Sequence, residues 1–259
     1  MMEEGAIGVL TVLGLAVGSF LNVCIHRLPL RQSVVTPSSR CPACGGALRW
    51  SDNIPVLSYL WLRGRCRTCD AQISPVYPLV ELSTAVVFVL QYQQLGWQPL
   101  LAVRLLFGCA MIVLFVIDLR HRILPNAITI PGIVVGLASA LAFEPGWRSA
   151  LTGVVIGGGG LFLLAEVYYR IRRQDGLGMG DVKMLAMIGA FLGWQLMLVT
   201  LLLASLLGSV IGIGMLVLGL SDGKYALPLG SFLALAAVVA MATGEPFVTW
   251  HGGLYPLPR

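Results

Sequence analysis

The sequence predicts an all-α polytopic membrane protein: about eight transmembrane helices and a small polar insert rich in cysteine and arginine. Three observations lead there. Hydrophobic residues make up 57% of the 259 and charged residues only 11%, against about 25% charge in a soluble domain. The mean hydropathy is +0.86. So few charges could not screen that much apolar surface from water, so most of it must face lipid. The polar residues, finally, are gathered near the start of the chain and not spread along it.

The first residues hold Glu3 and Glu4 but no base, so no secretory signal is expected there. Residues 6–25 form an uncharged stretch of 20 residues, enough for a helix to cross about 30 Å of hydrocarbon. Asn22 is its conspicuous polar group. Residues 26–75 then hold seven arginines (Arg27, Arg31, Arg40, Arg49, Arg63, Arg65, Arg67) against Asp52 and Asp70, a balance of +5 that equals the formal charge of the whole chain. Further apolar stretches run over 76–95, 99–117, 127–143, 149–169, 182–193, 195–220 and 226–243. The stretch 182–193 is short for a crossing, and is tilted, re-entrant or fused to its neighbour. Three parts are therefore expected: a first helix over 1–25, an insert over 26–75 and a helical bundle over 76–259.

The bases set the orientation. If the insert is cytoplasmic, alternation puts Arg120, Arg122, Arg170, Arg172, Arg173 and Lys224 on the same side. The other side keeps Arg148 and Arg259 with Glu3, Glu4, Glu144 and Glu245. That asymmetry follows the positive-inside rule and predicts both termini outside a cell membrane. The basic excess thus reads as topology, and nucleic acid is excluded as a partner. Small residues four apart (Gly14 and Gly18, Gly132 and Gly136, Gly208 and Gly212) and the run Gly157 to Gly160 read as close helix packing.

Cys41-Pro-Ala-Cys44-Gly45-Gly46 and Cys66-Arg-Thr-Cys69 are separated by 21 residues. Two such turns can set four sulfurs at the corners of a tetrahedron, a structural zinc site of zinc-ribbon type with no open position. Disulfides are disfavoured in a reducing cytoplasm. Four thiolates on Zn²⁺ leave a charge of −2, which Arg40, Arg63, Arg65 and Arg67 can offset. Cys24 and Cys109 lie in apolar stretches and read as small hydrophobes.

Ionisable groups at membrane depth are expensive and point to function. Asp118 ends the third stretch in Phe-Val-Ile-Asp118-Leu-Arg-His-Arg-Ile-Leu124-Pro125-Asn126. Asp181 follows Gly176-Leu-Gly178-Met-Gly180 and precedes Lys183. Both fall on the cytoplasmic side. Two carboxylates sharing one site hold one proton between them, which suits hydrolysis of a peptide: one activates water, the other protonates the carbonyl. Gly176, Gly178 and Gly180 leave the main chain bare for a substrate strand, and Asp181 stands where a dinucleotide loop needs its third glycine. Helix-end electrostatics nominate Asp181, with Lys183 beside it, as base and Asp118 as acid.

The Gly178-Met-Gly180-Asp181 segment resembles the Gly-x-Gly-Asp signature of membrane aspartyl proteases, and the chain resembles type IV prepilin peptidases in particular. Gly18-Ser-Phe-Leu-Asn22-Val-x-Ile-x-Arg27-Leu-Pro29 is similar to that family's first-span motif. So are the paired cysteine turns, Pro75-x-Tyr77-Pro78-x-x-Glu81, Asp118 with Leu124-Pro125, and Pro228-x-Gly-x-Phe-Leu. Asn126 departs from the acid common there. The resemblance implies a two-activity enzyme. It would remove the basic leader of type IV prepilins and pseudopilins at the cytoplasmic face of the inner membrane. It would then N-methylate the new N-terminus with S-adenosylmethionine, in support of type IV pilus and type II secretion assembly. A basic leader needs acids to read it, and Glu81, Asp175 and Asp222 are the candidates. Two other classes compete: a transporter, for which Arg104 and Glu166 are meagre mid-membrane polarity, and a zinc-bearing scaffold, which would tolerate loss of Asp181.

Overall fold

The structure is a computed structural model that describes residues 2–174, 178–219 and 227–252, with side chains described over 3–174, 178–219 and 227–243. The described chain is helical apart from turns and two isolated bridges. It divides into two compact units, Met1–Val113 and Leu114–Arg259.

In the first unit, α1 (Met2–Arg27) and α3 (Val76–Leu95) pack side by side. Glu3 and Glu4 open α1 while His26 and Arg27 close it, matching the helix dipole at both ends. The pairing is antiparallel, since rising positions in α1 meet falling ones in α3. A Cβ on Gly14 would stand 2.5 Å from Ala85 Cα, and one on Gly18 would stand 2.6 Å from Glu81 Cα. The Asn22 side-chain amide donates to the Tyr77 carbonyl at 3.0 Å. The glycines therefore let two backbones touch where lipid supplies no hydrophobic drive. Between the two helices lies the insert, with a 3₁₀ turn (Trp50–Asn53) and a short helix, α2 (Leu57–Trp61).

The boundary between the units falls within α4 (Pro99–His121). The second unit adds α5 (Asn126–Ser139), α6 (Trp147–Val154), a π-helical turn (Val155–Gly159), α7 (Gly160–Arg172), α8 (Met179–Val217) and α9 (Leu229–Gly252). The expected stretches 182–193 and 195–220 belong to one element, α8, broken at Gly193 (φ 78°, ψ 171°). A Cβ placed on Gly157 would lie 3.1 Å from the Leu185 carbonyl and 3.2 Å from Met197 Sδ. Twelve residues of straight helix would part those two by about 18 Å, so the chain doubles back at Gly193. That conformation excludes a side chain, and Pro145 and Ser149 fill the space where one would go.

The first arm of α8 is the centre of this unit: Met184, Leu185, Met187, Ile188 and Ala190 are buried. Its neighbours reach it through glycine. Gly153 of α6 faces Gly189, its Cβ position 2.6 Å from that carbonyl oxygen, while Gly132 and Gly136 of α5 meet Met187 and Ala190. Among the described residues, four stretches are long and apolar enough to cross a membrane: Glu3–Arg27, Pro99–His121, Trp147–Arg172 and Met179–Val217. Asn126–Ser139 is a shorter apolar helix, and α9 is apolar over Leu229–Thr243, the part whose side chains are described. By length and composition the structure therefore supplies four spans where the sequence predicted about eight. That count takes α8 as one span although it doubles back at Gly193, and α5 is short for a crossing.

Candidate active site

Asp118 lies three residues before the end of α4 and is only 5% exposed. The last turn closes when the Arg122 amide, at φ 54°, donates to the Asp118 carbonyl at 2.8 Å. Arg122 also stands within electrostatic reach of the Asp118 carboxyl. The start of α9 caps that carboxyl from the other side. The Ser231 amide donates to Oδ2 at 2.6 Å and the Ser231 hydroxyl to the same oxygen at 2.9 Å, with the Phe115 carbonyl 3.2 Å from that hydroxyl. Gly230 permits this approach: a Cβ there would stand 3.0 Å from both Cγ and Oδ2 of Asp118.

Asp181 sits in the first turn of α8, half-buried, with its side chain folded back over Gly178. A Cβ on Gly178 would come 3.1 Å from Asp181 Oδ2. Leu124 joins the two halves of the site. The Cβ position of Gly180 is 3.0 Å from Leu124 Cβ, and that of Gly230 is 2.9 Å from Leu124 Cδ1. The end of α4 and the starts of α8 and α9 thus meet around one leucine, and Asp181 feels the charge of Asp118.

Gly178 and Gly180 are at this mouth, whereas Gly176, Asp175 and Asp222 lie outside the described residues. Lys183, which the helix-end argument placed close to Asp181, donates its ammonium to Asn126 Oδ1 at 2.9 Å. Ser231 bears on the helix-end assignment too. Because Oδ2 of Asp118 accepts two donors, a proton shared by the pair belongs on Oδ1 or on Asp181. Sequence reasoning had no role for Ser231 or Gly230, although both fall within the Pro228-x-Gly-x-Phe-Leu signal. Glu81, a candidate leader-reading acid, accepts the Val56 amide at 2.7 Å and so ties the insert to α3. Glu166 pairs with Arg170 one helical turn on, at 2.7 Å.

In the insert, Cys41, Cys44, Cys66 and Cys69 bring their sulfurs within 4.8 Å of one another. Tetrahedral zinc with Zn–S near 2.3 Å would set sulfurs about 3.8 Å apart, and Cys41 Sγ and Cys69 Sγ stand at 3.9 Å. The two turns repeat one hydrogen-bond pattern. Gly45 N–H donates to the Cys41 carbonyl and Cys41 N–H to that of Gly46; Asp70 N–H donates to the Cys66 carbonyl and Cys66 N–H to that of Ala71. Gly45 and its counterpart Asp70 both take positive φ, 69° and 60°, as Gly and Asp tolerate. The amides of Thr68 and Cys69 point at Cys66 Sγ and pull that thiol down to about 6, whereas against the pull of the Ala71 amide, desolvation and the neighbouring sulfurs push the Cys69 thiol up to about 12, so the cluster holds its first thiolate readily and its last only beside a cation. The donor set fits zinc. Of the four arginines expected to offset its charge, Arg67 is occupied by Asp52 at 2.7 Å and Arg65 by Asp70 at 3.4 Å.

Residues 12–95, the hairpin and its cysteine insert, match the Bacterial Peptidase A24 N-terminal domain. Residues 105–213, which carry both aspartates, match the Type IV leader peptidase family. A Myxococcus xanthus protein named prepilin leader peptidase/N-methyltransferase is 47% identical over 210 residues, covering 80% of this chain but 62% of that relative's own length. Proteins of the same name match over most of both chains. One from Aeromonas salmonicida is 37% identical, over 92% of this chain and 90% of its own. One from Pseudomonas aeruginosa is 35% identical, over 90% and 89%. No solved structure matches. With two matched regions that together hold the cysteine cluster and the aspartate pair, and relatives aligned nearly end to end, the chain belongs to the type IV leader peptidase family.

Proposed function

We propose that this chain is a membrane-embedded aspartyl endopeptidase. It removes the basic leader of type IV prepilins and pseudopilins at the cytoplasmic membrane face, then N-methylates the exposed N-terminal residue with S-adenosylmethionine. The observation that carries this reading is that Gly180, next to Asp181, and Gly230, against the Asp118 carboxyl, both pack on Leu124, with Asp181 within electrostatic reach of Asp118. With one proton held by the pair, the unprotonated carboxylate takes a proton from water as its oxygen attacks the scissile carbonyl carbon. The protonated one gives its proton to the carbonyl oxygen. Collapse of the tetrahedral adduct breaks the C–N bond, the amine takes a proton, and the pair is left with one again. Gly178 lets the Asp181 carboxyl fold back over the main chain, and Gly180 lets Leu124 close on the first turn of α8.

Zinc would be held by Cys41, Cys44, Cys66 and Cys69 in a closed site that folds the insert and takes no part in hydrolysis. S-adenosylmethionine would supply the methyl group. Among the described residues, the cavity between the second arm of α8 and the start of α9, lined by Ala204, Gly208, Ser209, Gly212 and Phe232 among others, has no carboxylate in its lining for the donor's ribose or amine. No described residue is assigned to the methyl donor. The layout that goes with this function is a bacterial inner-membrane protein of about eight crossings, α8 contributing two around Gly193. Both termini lie outside, and the parts are a first helix (1–25), a cytoplasmic zinc insert (26–75) and a protease bundle (76–259). Its products serve type IV pilus and type II secretion assembly.

The test is incubation of the purified protein with a prepilin, with and without S-adenosylmethionine, followed by the mass of the product's N-terminus. A leader-sized loss is expected, with a further methyl mass when the donor is present. Asp118→Asn and Asp181→Asn should each abolish processing; processing that survives Asp181→Asn defeats the protease reading in favour of a scaffold. Neutralising Asp175 and Asp222 should raise KM for basic leaders with kcat little changed.

A further inference from the structure

The insert presents an apolar surface that the helical hairpin does not use. Trp50 is 84% exposed, Trp61 85%, and Leu57 and Leu60 each 64%. Leu57, Leu60 and Trp61 stand at positions i, i+3 and i+4 of α2 and so share one face of that turn. The 3₁₀ turn that carries Trp50 packs against α2. Arg67 clamps Asp52 of that turn with two nitrogens on one oxygen, at 2.7 and 3.0 Å, so Trp50 is carried on a braced element. Exposed arginines flank the patch on both sides: Arg49 precedes Trp50, and Arg63 follows Trp61 by two residues.

A soluble domain this small would not leave two tryptophans and two leucines in water. This one is tethered at both ends. It leaves the C-terminus of α1, a helix long and apolar enough to cross a membrane, and returns into α3, which lies along α1. Its surface is therefore held beside the headgroups whatever else it does. Tryptophan, leucine and arginine on one short amphipathic element are the composition of an interfacial anchor, and a net +5 over residues 26–75 complements an acidic leaflet.

We propose that the insert docks on the bilayer surface, with Trp50, Leu57, Leu60 and Trp61 entering the headgroup–acyl boundary and Arg49 and Arg63 on anionic lipid phosphates. The occupant of the patch is the lipid leaflet into which α1 inserts, not a protein. Docking also masks part of the insert's positive charge, which lets a basic leader approach this face; that consequence alone depends on the function proposed above.

The test uses the full chain in nanodiscs of phosphatidylcholine, with or without roughly one-third phosphatidylglycerol, an acidic lipid. Lipids brominated near the headgroup quench buried tryptophan, and aqueous iodide quenches exposed tryptophan. A Trp50→Phe/Trp61→Phe double variant isolates the signal of these two residues, and cysteine-bound zinc content verifies that the insert is folded. In acidic discs the wild-type-minus-variant signal should be quenched by brominated lipid and spared by iodide. Arg49→Gln and Arg63→Gln should each lower the docked-to-undocked ratio about fivefold. Iodide quenching without lipid quenching in acidic discs overturns the proposal. So does protection from both quenchers, which would mean that a protein surface covers the patch. Prepilin cleavage by the same samples reports separately on the peptidase reading, so the failure of one is distinguishable from the failure of the other.

Discussion

Ser231 offers the sharpest test of how the site is held. Its hydroxyl and its amide converge on Oδ2 of Asp118 at 2.9 and 2.6 Å, in a place only 2% exposed. Ser231→Ala removes the first bond and leaves the second. A hydrogen bond to a carboxylate contributes about 1.5–3 kcal/mol, and the surviving amide puts the loss at the low end, about 1.5 kcal/mol. If that energy orients the reacting carboxyl, kcat falls roughly tenfold. KM should stay put, because Oδ2 is taken up by α9 and not by the leader. Ser231→Thr keeps a hydroxyl and should recover most of the rate. The assay is single-turnover cleavage of a synthetic prepilin peptide by the three proteins in one detergent, with thermal unfolding measured in parallel. An alanine variant as fast as wild type would show that α9 does not orient Asp118. A threonine variant as slow as alanine would point to packing instead.

Gly230→Ala should be more severe, since its Cβ would press on Cγ and Oδ2 of Asp118 at 3.0 Å; a displacement near 1 Å costs on the order of 100-fold in kcat, read in the same assay with binding retained. Gly153→Ala should leave the chemistry intact but push α6 off the Gly189 carbonyl, which lies 2.6 Å from the new Cβ, lowering stability by about 1–3 kcal/mol in detergent unfolding. Asn126→Asp should turn the 2.9 Å contact with Lys183 into an exposed ion pair and change stability by less than about 1 kcal/mol, read by thermal unfolding in detergent. Chelation of zinc, or Cys41→Ser, should open the insert to proteolysis between 28 and 75 while α1 and α3 stay protected; an insert equally resistant without metal would mean that its turns fold unaided.

Much of this protein was legible because its signals are local. A run of 20 uncharged residues must be a helix in lipid, since no other local structure satisfies its backbone there. Two Cys-x-x-Cys turns carry their own geometry, and the structure repeats one hydrogen-bond pattern in both. Glycines four apart announce a close contact, and Gly14, Gly18, Gly132 and Gly136 each make one. The pattern names the face but not the partner. Gly18 meeting Glu81, Asn22 reaching the Tyr77 carbonyl and Glu81 holding the Val56 amide are contacts between residues 25 to 63 apart.

The site divides the same way. Composition and helix ends singled out Asp118 and Asp181 as costly charges at membrane depth, a statement each residue's own surroundings can make. That the start of α8 and the start of α9 both pack on Leu124, that Gly193 folds α8 back on itself, and that the start of α9 lays two donors on one oxygen of Asp118 are facts of packing. The helix-end argument for acid and base weighed the dipole of α4 and the charge of Lys183; the structure adds α9, 113 residues away, and Asn126, which takes the lysine. Sequence determines which groups are costly to bury, because burial cost belongs to the residue. Only the tertiary structure decides what compensates them, because a hydrogen bond reaches about 3 Å and its donor can come from anywhere in the chain.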